Sequence, residues 1–455
     1  MKNLPESLIP YIAEKLTVPN PKFEEAVNAG RSTYKIDPSI VNFTYFPDGS
    51  IIMPRGIEEW LYDTSDSLKI KYKIFNERTI FPHKQICSSK IEYRPYQFEA
   101  VVELSGKNQG VLVAPAGSGK TVMGLSMIPM LGQPTLWLTH TGPLAEQTTQ
   151  RAQTFLPDVG EVGLIGRGKW QTGEVLTVGM VQTLFRNMDE IIKLRDQFGM
   201  VIFDECHRLP ARTFMEVAGA FNSFYMYGLT ATPYRRDKLE TLMFHAISES
   251  TTTIPLDKVS EHGGIMIPTV VYKEINSKRV DDNNIQTILS KYIVDNPKRN
   301  RVIAGDVLRE AVKGHYCIII SDRREHCERL NQLISAGWPK TGIATGKYSK
   351  KYVAEQVEAF NKGDITVLVA TYALMGEGFD VPFLDRAFIA MPFRAEAKAE
   401  QLIGRIQRTF PGKTDAIVYD YVDVDIGVLK NQFYNKRSTC RHRTYSKLGI
   451  VVRPS

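Results

Sequence analysis

An apolar run, Gly110-Val111-Leu112-Val113, leads into Ala114-Pro115-Ala116-Gly117-Ser118-Gly119-Lys120-Thr121 and then into a second apolar stretch bearing Val122, Met123, Leu125 and Ile128. A strand that turns through a glycine-rich loop into a helix commits the region to an α/β layer. It also directs several backbone N–H groups at one point at the helix N-terminus, where an anion is favoured. Ala116, Gly117, Ser118 and Gly119 are small enough for the backbone to approach phosphates closely, Lys120 supplies an ammonium for the β and γ oxygens, and Thr121 supplies a hydroxyl that helps hold Mg²⁺. The loop usually opens on glycine; Ala114 stands there, a departure at one position. The ligand expected is a nucleoside triphosphate, ATP with Mg²⁺.

With 455 residues and 43% hydrophobic content the chain can build two to four packed domains. No run approaches the roughly 18 apolar residues of a membrane span. Met1–Tyr11 carries an acid and prolines where a signal peptide would be apolar, so a cytoplasmic, intracellular protein is expected, with no membrane partner. The five cysteines are scattered without Cys-x-x-Cys spacing, which suggests neither a disulfide framework nor a zinc site, and Cys317 reads as core. Net charge is +7, and the seven Lys and Arg from Val428 to Ser455, a stretch with no acid, account for all of it. Phe433, Tyr434 and Tyr445 are interleaved with those cations, the pattern of a surface that stacks bases and meets phosphates; a merely solvated basic tail is the alternative.

Residues 1–88 read as a small α+β accessory domain, either DNA-binding or a structural cap. It comprises a hairpin from Ser39–Phe46 through Pro47-Asp48-Gly49 to Ser50–Met53, a helix over Gly56–Leu61 and a strand around Leu68–Tyr72. Apolar runs then alternate with helical patterns. Residues 89–252 and 253–455 are expected to be two tandem parallel-sheet domains, joined by a polar linker over about Thr251–Asp282 and ending in the basic tail.

Met200-Val201-Ile202-Phe203 is an apolar strand that ends in Asp204-Glu205-Cys206-His207, where an α/β sheet presents ligand-binding groups. Asp204 suits the Mg²⁺ that bridges β and γ phosphates, and Glu205 suits the base that orients and deprotonates an attacking water. In Gln401-Leu402-Ile403-Gly404-Arg405-Ile406-Gln407-Arg408, the residues Gln401, Arg405 and Arg408 are spaced to share one helix face and to address one γ-phosphate. Thr139, Pro143, Gln147, Thr183 and Ser321 follow strands and offer hydroxyls, amides and helix N-termini, groups that either cap helices or hold phosphates of a nucleic-acid backbone without reading bases; their order in the family pattern described next favours the second role.

Together with Leu229-Thr230-Ala231-Thr232-Pro233, these motifs make residues 90–425 resemble the superfamily 2 helicases, whose motor is two RecA-like domains. Cys206 departs from the family's usual Ala at a non-catalytic position, and His207 places the chain with the Asp-Glu-x-His members. The resemblance implies that Arg94 and Gln97 of Arg94-Pro95-Tyr96-Gln97 recognise adenine, and that Gly378 and Asp380 of Gly376–Pro382 lie near the nucleotide with Thr371 near the nucleic-acid backbone. It further implies that His207, Thr230 and Thr232 couple the nucleotide to the strand. The Arg-Pro-Tyr-Gln and Thr-Ala-Thr-Pro elements and the N-terminal module look like the branch of XPB-type and phage UvsW-type DNA helicases. That branch implies an ATP-driven motor on single-stranded, duplex or branched DNA with 3′ to 5′ polarity, and replication or recombination proteins as possible partners. RNA is the less favoured substrate, since DEAD-box RNA helicases carry Ser-Ala-Thr where this chain has Thr230-Ala231-Thr232. A translocase subunit that does not unwind and an ATP-operated binding switch are the remaining alternatives; intact Glu205, Arg405 and Arg408 argue against the switch.

Overall fold

The computed structural model describes residues 4–208, 211–231, 239–276, 284–375, 379, 381–393, 396–435 and 440–455. They form two compact units, Met1–Pro255 and Leu256–Ser455. Among them no helix is long and apolar enough to cross a membrane.

The first unit is built on an eight-stranded sheet. Its order is Thr251–Thr253, Gln109–Val113, Tyr225–Thr230, Met200–Asp204, Thr135–Thr139, Leu176–Met180, Gly163–Gly166 and Lys169–Gln171. All neighbours are parallel except the last pair. Met200–Asp204 and Thr135–Thr139 are buried along their whole length, which is why they read as continuous apolar runs and not as alternating ones. The N-terminal residues pack a small core of Leu8, Ile12, Leu16, Ile51 and Ile57. They belong to the same compact unit as the sheet. The guanidinium of Arg55 joins them to it, donating to Gln109 Oε1 at 2.8 Å and to the carbonyls of Ser223 at 2.6 Å and Phe224 at 2.7 Å.

The second unit carries a seven-stranded, wholly parallel sheet in the order Thr341–Ala344, Val367–Thr371, Cys317–Ser321, Arg386–Ile389, Ile417–Asp423, Thr269–Ile275 and Val452–Pro454. Helices such as Pro297–Val312, Arg324–Ser335 and Lys350–Lys362 connect its strands, and an apolar cluster covers each face. Two sheets of mostly parallel strands with intervening helices are the RecA-like architecture expected.

Several sequence expectations are corrected. The hairpin forms only as Thr44–Tyr45 against Ile51–Ile52, around Gly49 with φ +79°. The next helix opens as a 3-10 turn at Arg55–Ile57 and continues over Glu58–Ser67. Leu68–Tyr72 is no strand: Lys69 takes a left-handed φ of +56°, which interrupts an extended run. The expected linker is largely structured, because the adjacent, buried Val270 and Val271 put Thr269–Ile275 into the second sheet and Thr251–Thr253 adds to the edge of the first. The basic tail is folded as well. Phe433 and Tyr445 lie in the core, and the buried Arg441 forms two bonds to Asp420, at 2.7 and 2.9 Å, and one to the Phe393 carbonyl at 2.7 Å. Those two rings therefore cannot stack on bases, and that cation answers a carboxylate of its own chain.

Candidate active site

The loop between Gln109–Val113 and the helix Lys120–Leu131 holds Gly117 at φ +85° and Gly119 at φ +89°, conformations that strain any side-chain-bearing residue. A Cβ on Gly119 would also meet Gln97 Nε2 at 2.4 Å. Gln97 is buried and stitched to the loop: its Nε2 donates to the Ser118 carbonyl at 2.9 Å and its Oε1 accepts from the Arg94 N–H at 2.9 Å. Tyr96 Oη donates to the same Ser118 carbonyl at 3.1 Å. The helix Pro95–Ser105 thus braces the loop from behind, with Arg94 half-buried at its start. The ammonium of Lys120 donates to the Ala114 carbonyl at 3.1 Å and lies 4.0 Å from Glu205 Oε1. Ala116 and Thr121 are half-buried on either side of the glycines, and Ser118 Oγ is buried with no hydrogen-bond partner among the described residues.

Asp204 closes the central strand in a buried position, and burial, with the neighbouring Glu205 charge adding to it, pushes its carboxyl up to about 7. An acid so destabilised as an anion suits a divalent cation, and with the glycine cradle and the unsatisfied Ser118 hydroxyl the donor set fits ATP with Mg²⁺. Glu205 is a non-glycine residue at φ +48°. That conformation turns its half-buried side chain back toward Lys120 and toward His207, whose Nδ1 stands 3.4 Å from Glu205 Oε2. The same Nδ1 is 2.8 Å from Thr230 Oγ1, at the end of the adjoining strand Tyr225–Thr230. The Glu205 carboxylate thus lies within ion-pair distance of both Lys120 and His207, and His207 is hydrogen-bonded to Thr230.

Of the expected nucleic-acid contacts in the first unit, Thr139 is buried and its hydroxyl donates to the Thr141 carbonyl at 3.3 Å, Pro143 is exposed in the first turn of the helix Gly142–Phe155, and Gln147 and Thr183 are half-buried. In the second unit Ser321 is buried: its Oγ lies 3.0 Å from His326 Nδ1 and accepts from the Arg323 N–H at 3.2 Å. Burial lowers the His326 imidazole to about 3, so it is neutral, and its Nε2 faces Asn300 Oδ1 at 2.9 Å. Thr371 is half-buried at the end of Val367–Thr371.

Gln401 and Arg405 lie one turn apart on the helix Glu396–Ile406, but Arg408 does not share that helix face. The helix ends at Ile406, and Arg408 pairs with Ile265 as an antiparallel bridge, beside the Met266 N–H that donates to the Gln407 carbonyl at 2.7 Å. Thr232, Gly378 and Asp380 lie outside the described residues. One group in this region was not singled out from sequence, Lys413, whose ammonium donates to the carbonyls of Ile406 at 2.5 Å and Arg408 at 2.8 Å. Its position shortly after a helix C-terminus, past Pro411-Gly412, is the signal that could have found it.

Residues 90–235 match the family model described as the res subunit of type III restriction enzymes, and residues 300–410 match the helicase conserved C-terminal domain. The chain is 24% identical over 397 residues to the probable helicase D10 of Escherichia phage T5, covering 86% of this chain and 85% of that protein. It is 26% identical over 379 residues to the putative ATP-dependent RNA helicase L396 of Acanthamoeba polyphaga mimivirus, covering 81% and 68%. Against the ATP-dependent DNA helicase uvsW of Enterobacteria phage T4 it is 24% identical over 358 residues, covering 74% and 69%. The solved helicase domain of Hef from Pyrococcus furiosus shares the fold, with a TM-score of 0.51 at 14% identity, over 72% of this chain and 95% of that one. With the phosphate loop, the Asp-Glu-Cys-His strand end and the Gln-x-x-Gly-Arg-x-x-Arg segment in place, the chain belongs to the superfamily 2 helicases.

Proposed function

We propose that this protein is an ATP-dependent DNA helicase or translocase, of the XPB-like and UvsW-like branch, whose ATP hydrolysis is stimulated by nucleic acid and which unwinds or branch-migrates forked and junction DNA. The observation that carries the chemistry is the Glu205 carboxylate held beside both Lys120 and His207 at the end of the central strand, next to the phosphate loop. Bound Mg²⁺·ATP supplies the γ-phosphoryl group whose transfer to water drives the cycle. Lys120 and the loop N–H groups would hold the phosphates, Thr121 and Asp204 would hold the cation, and Gln97 with Arg94 would recognise adenine. Glu205 takes the proton of the attacking water. Arg405 and Arg408, with Gln401, would stabilise the charge that grows on the γ-phosphate, a role worth roughly 10³–10⁵ in rate in GTPases. His207, Thr230 and Thr232 couple hydrolysis to the nucleic-acid strand, which Thr139, Pro143, Gln147, Thr183, Ser321 and Thr371 contact.

DNA is favoured by the Thr230-Ala231-Thr232 segment and by the likeness to the phage T4 DNA helicase; RNA is the second reading, favoured by the likeness to the mimivirus protein. Steady-state ATP hydrolysis measured alone and with single-stranded DNA, duplex DNA, a four-way junction and RNA at one fixed salt concentration separates them. Strong stimulation by branched DNA is expected. Stimulation by RNA alone overturns the DNA reading, and none at all leaves an ATPase without a track.

A further inference from the structure

The ammonium of Lys413 donates to three backbone carbonyls, those of Ile406 at 2.5 Å, Arg408 at 2.8 Å and Pro382 at 3.4 Å. An ammonium has three N–H donors and no acceptor, so three carbonyls match its capacity. They sit at three consequential points: the last residue of the helix carrying Gln401 and Arg405, the peptide of Arg408 itself, and the final residue of the Gly376–Pro382 motif. Arg408 has already left the helix, so no i to i−4 ladder holds its peptide; the bridge to Ile265 and the Lys413 contact to its carbonyl help to hold it. The Lys413 N–H also donates to the Phe410 carbonyl at 3.0 Å, closing the turn that brings the side chain back over the helix end.

We propose that Lys413 is a positioning residue for ATP turnover: its ammonium clamps the exit of the arginine helix to the Pro382 segment and so holds Arg408 in its productive direction. This rests on the ATPase reading above. The charge matters as well as the reach. Burial lowers the Lys413 amine to about 8; Asp385 and Asp415 favour its protonated form, while Arg386 and Arg408 oppose it. A neutral amine has two N–H donors, too few for three carbonyls. In the unfolded chain the amine titrates near its ordinary 10.5. Between the two values the unfolded state therefore binds more protons, so this group makes the fold more stable, not less, as pH rises through the window. A fall in turnover there cannot be this lysine unfolding the protein.

The test is kcat and KM for ATP from about pH 7 to 9.5, with saturating junction DNA, for wild type, K413R and K413M, with circular dichroism and thermal melting on each. The expected result is a wild-type kcat that falls above about pH 8 with little change in KM, while K413R, charged throughout, stays flat across that range. K413M is expected to lie between about 10- and 100-fold below wild type in kcat at pH 7, the scale of a misplaced catalytic group, with the gap narrowing as the wild type loses its clamp above about pH 8. If K413M does not fold, the comparison of wild type with K413R decides alone: identical profiles overturn the inference. Wild-type kcat in folded K413M overturns it too, and leaves the ATPase reading standing. A wild type that hydrolyses no ATP with any nucleic acid sinks both.

Discussion

Glu205 is held at φ +48°, a left-handed conformation that costs a non-glycine residue about 1 kcal/mol or more. The strain aims its carboxylate at both Lys120 and His207, which a relaxed extended residue at the end of Met200–Asp204 would not do. Glu205→Gln keeps the shape and removes the base, so kcat is expected to fall by about 10²–10⁴ with ATP still bound; single-turnover kinetics and nucleotide titration report the two quantities separately, and normal turnover would falsify the base assignment. Gly119→Ala acts on binding instead. It adds a Cβ where Gln97 Nε2 is only 2.4 Å away, on a backbone at φ +89°. ATP affinity is expected to drop at least tenfold, about 1.4 kcal/mol, and calorimetric titration would show an unchanged affinity if the brace from Gln97 is irrelevant.

At the scale of elements, the C-terminal segment changes meaning between sequence and structure. Arg441, Tyr445 and Asp420 form a buried cluster in which Tyr445 Oη donates to Asp420 at 2.9 Å, and the Arg441 guanidinium is stacked near the rings of Phe393 and Phe433. Arg441→Met strands the Asp420 carboxylate and is expected to cost about 3–5 kcal/mol, read as a shift of the urea midpoint. Lys430 and Arg453 are exposed and can meet phosphates. Replacing both with alanine is expected to flatten the salt dependence of DNA binding, by up to about 0.9 in log–log slope for each phosphate no longer neutralised, without a change in thermal midpoint; an unchanged slope would make these charges mere solvated surface. The phosphate loop, the acid pair and most of both sheets were legible because each is written in contiguous residues: an apolar run, a glycine turn, a carboxylate at a strand end. Thr269–Ile275 was missed because Pro268 and the polar Lys273 and Glu274 interrupt its apolar run. The helical spacing of Arg408 misled because a helix end is set by carbonyl partners such as Lys413 and not by the arginines themselves. Nothing in the spacing of Tyr445, Arg441 and Asp420 announces that they meet, since the strand Ile417–Asp423 and the helix Arg441–Lys447 are brought together only by packing.

For the molecule as a whole, the first 88 residues are not loosely appended to the first unit. Arg55 commits its guanidinium to Gln109 and to the carbonyls of Ser223 and Phe224, and Lys15 pairs with Glu249 at 2.7 Å. Arg55→Ala leaves those acceptors without their donor and is expected to destabilise this attachment by about 3 kcal/mol. Limited proteolysis should then cut faster within the exposed stretch 71–77, and an unchanged cleavage rate would mean that the apolar packing suffices. The second unit is closed differently. Its early strand Thr269–Ile275 lies between Ile417–Asp423 and Val452–Pro454, strands from the opposite end of the unit. Pairings so distant in sequence form late and slowly, because the entropy of a long loop must be given up first. Until then, Val270 and Val271 present an open, apolar edge to other chains, so the sheet that carries the arginines is also where a crowded, newly synthesised population of this protein is most prone to aggregate.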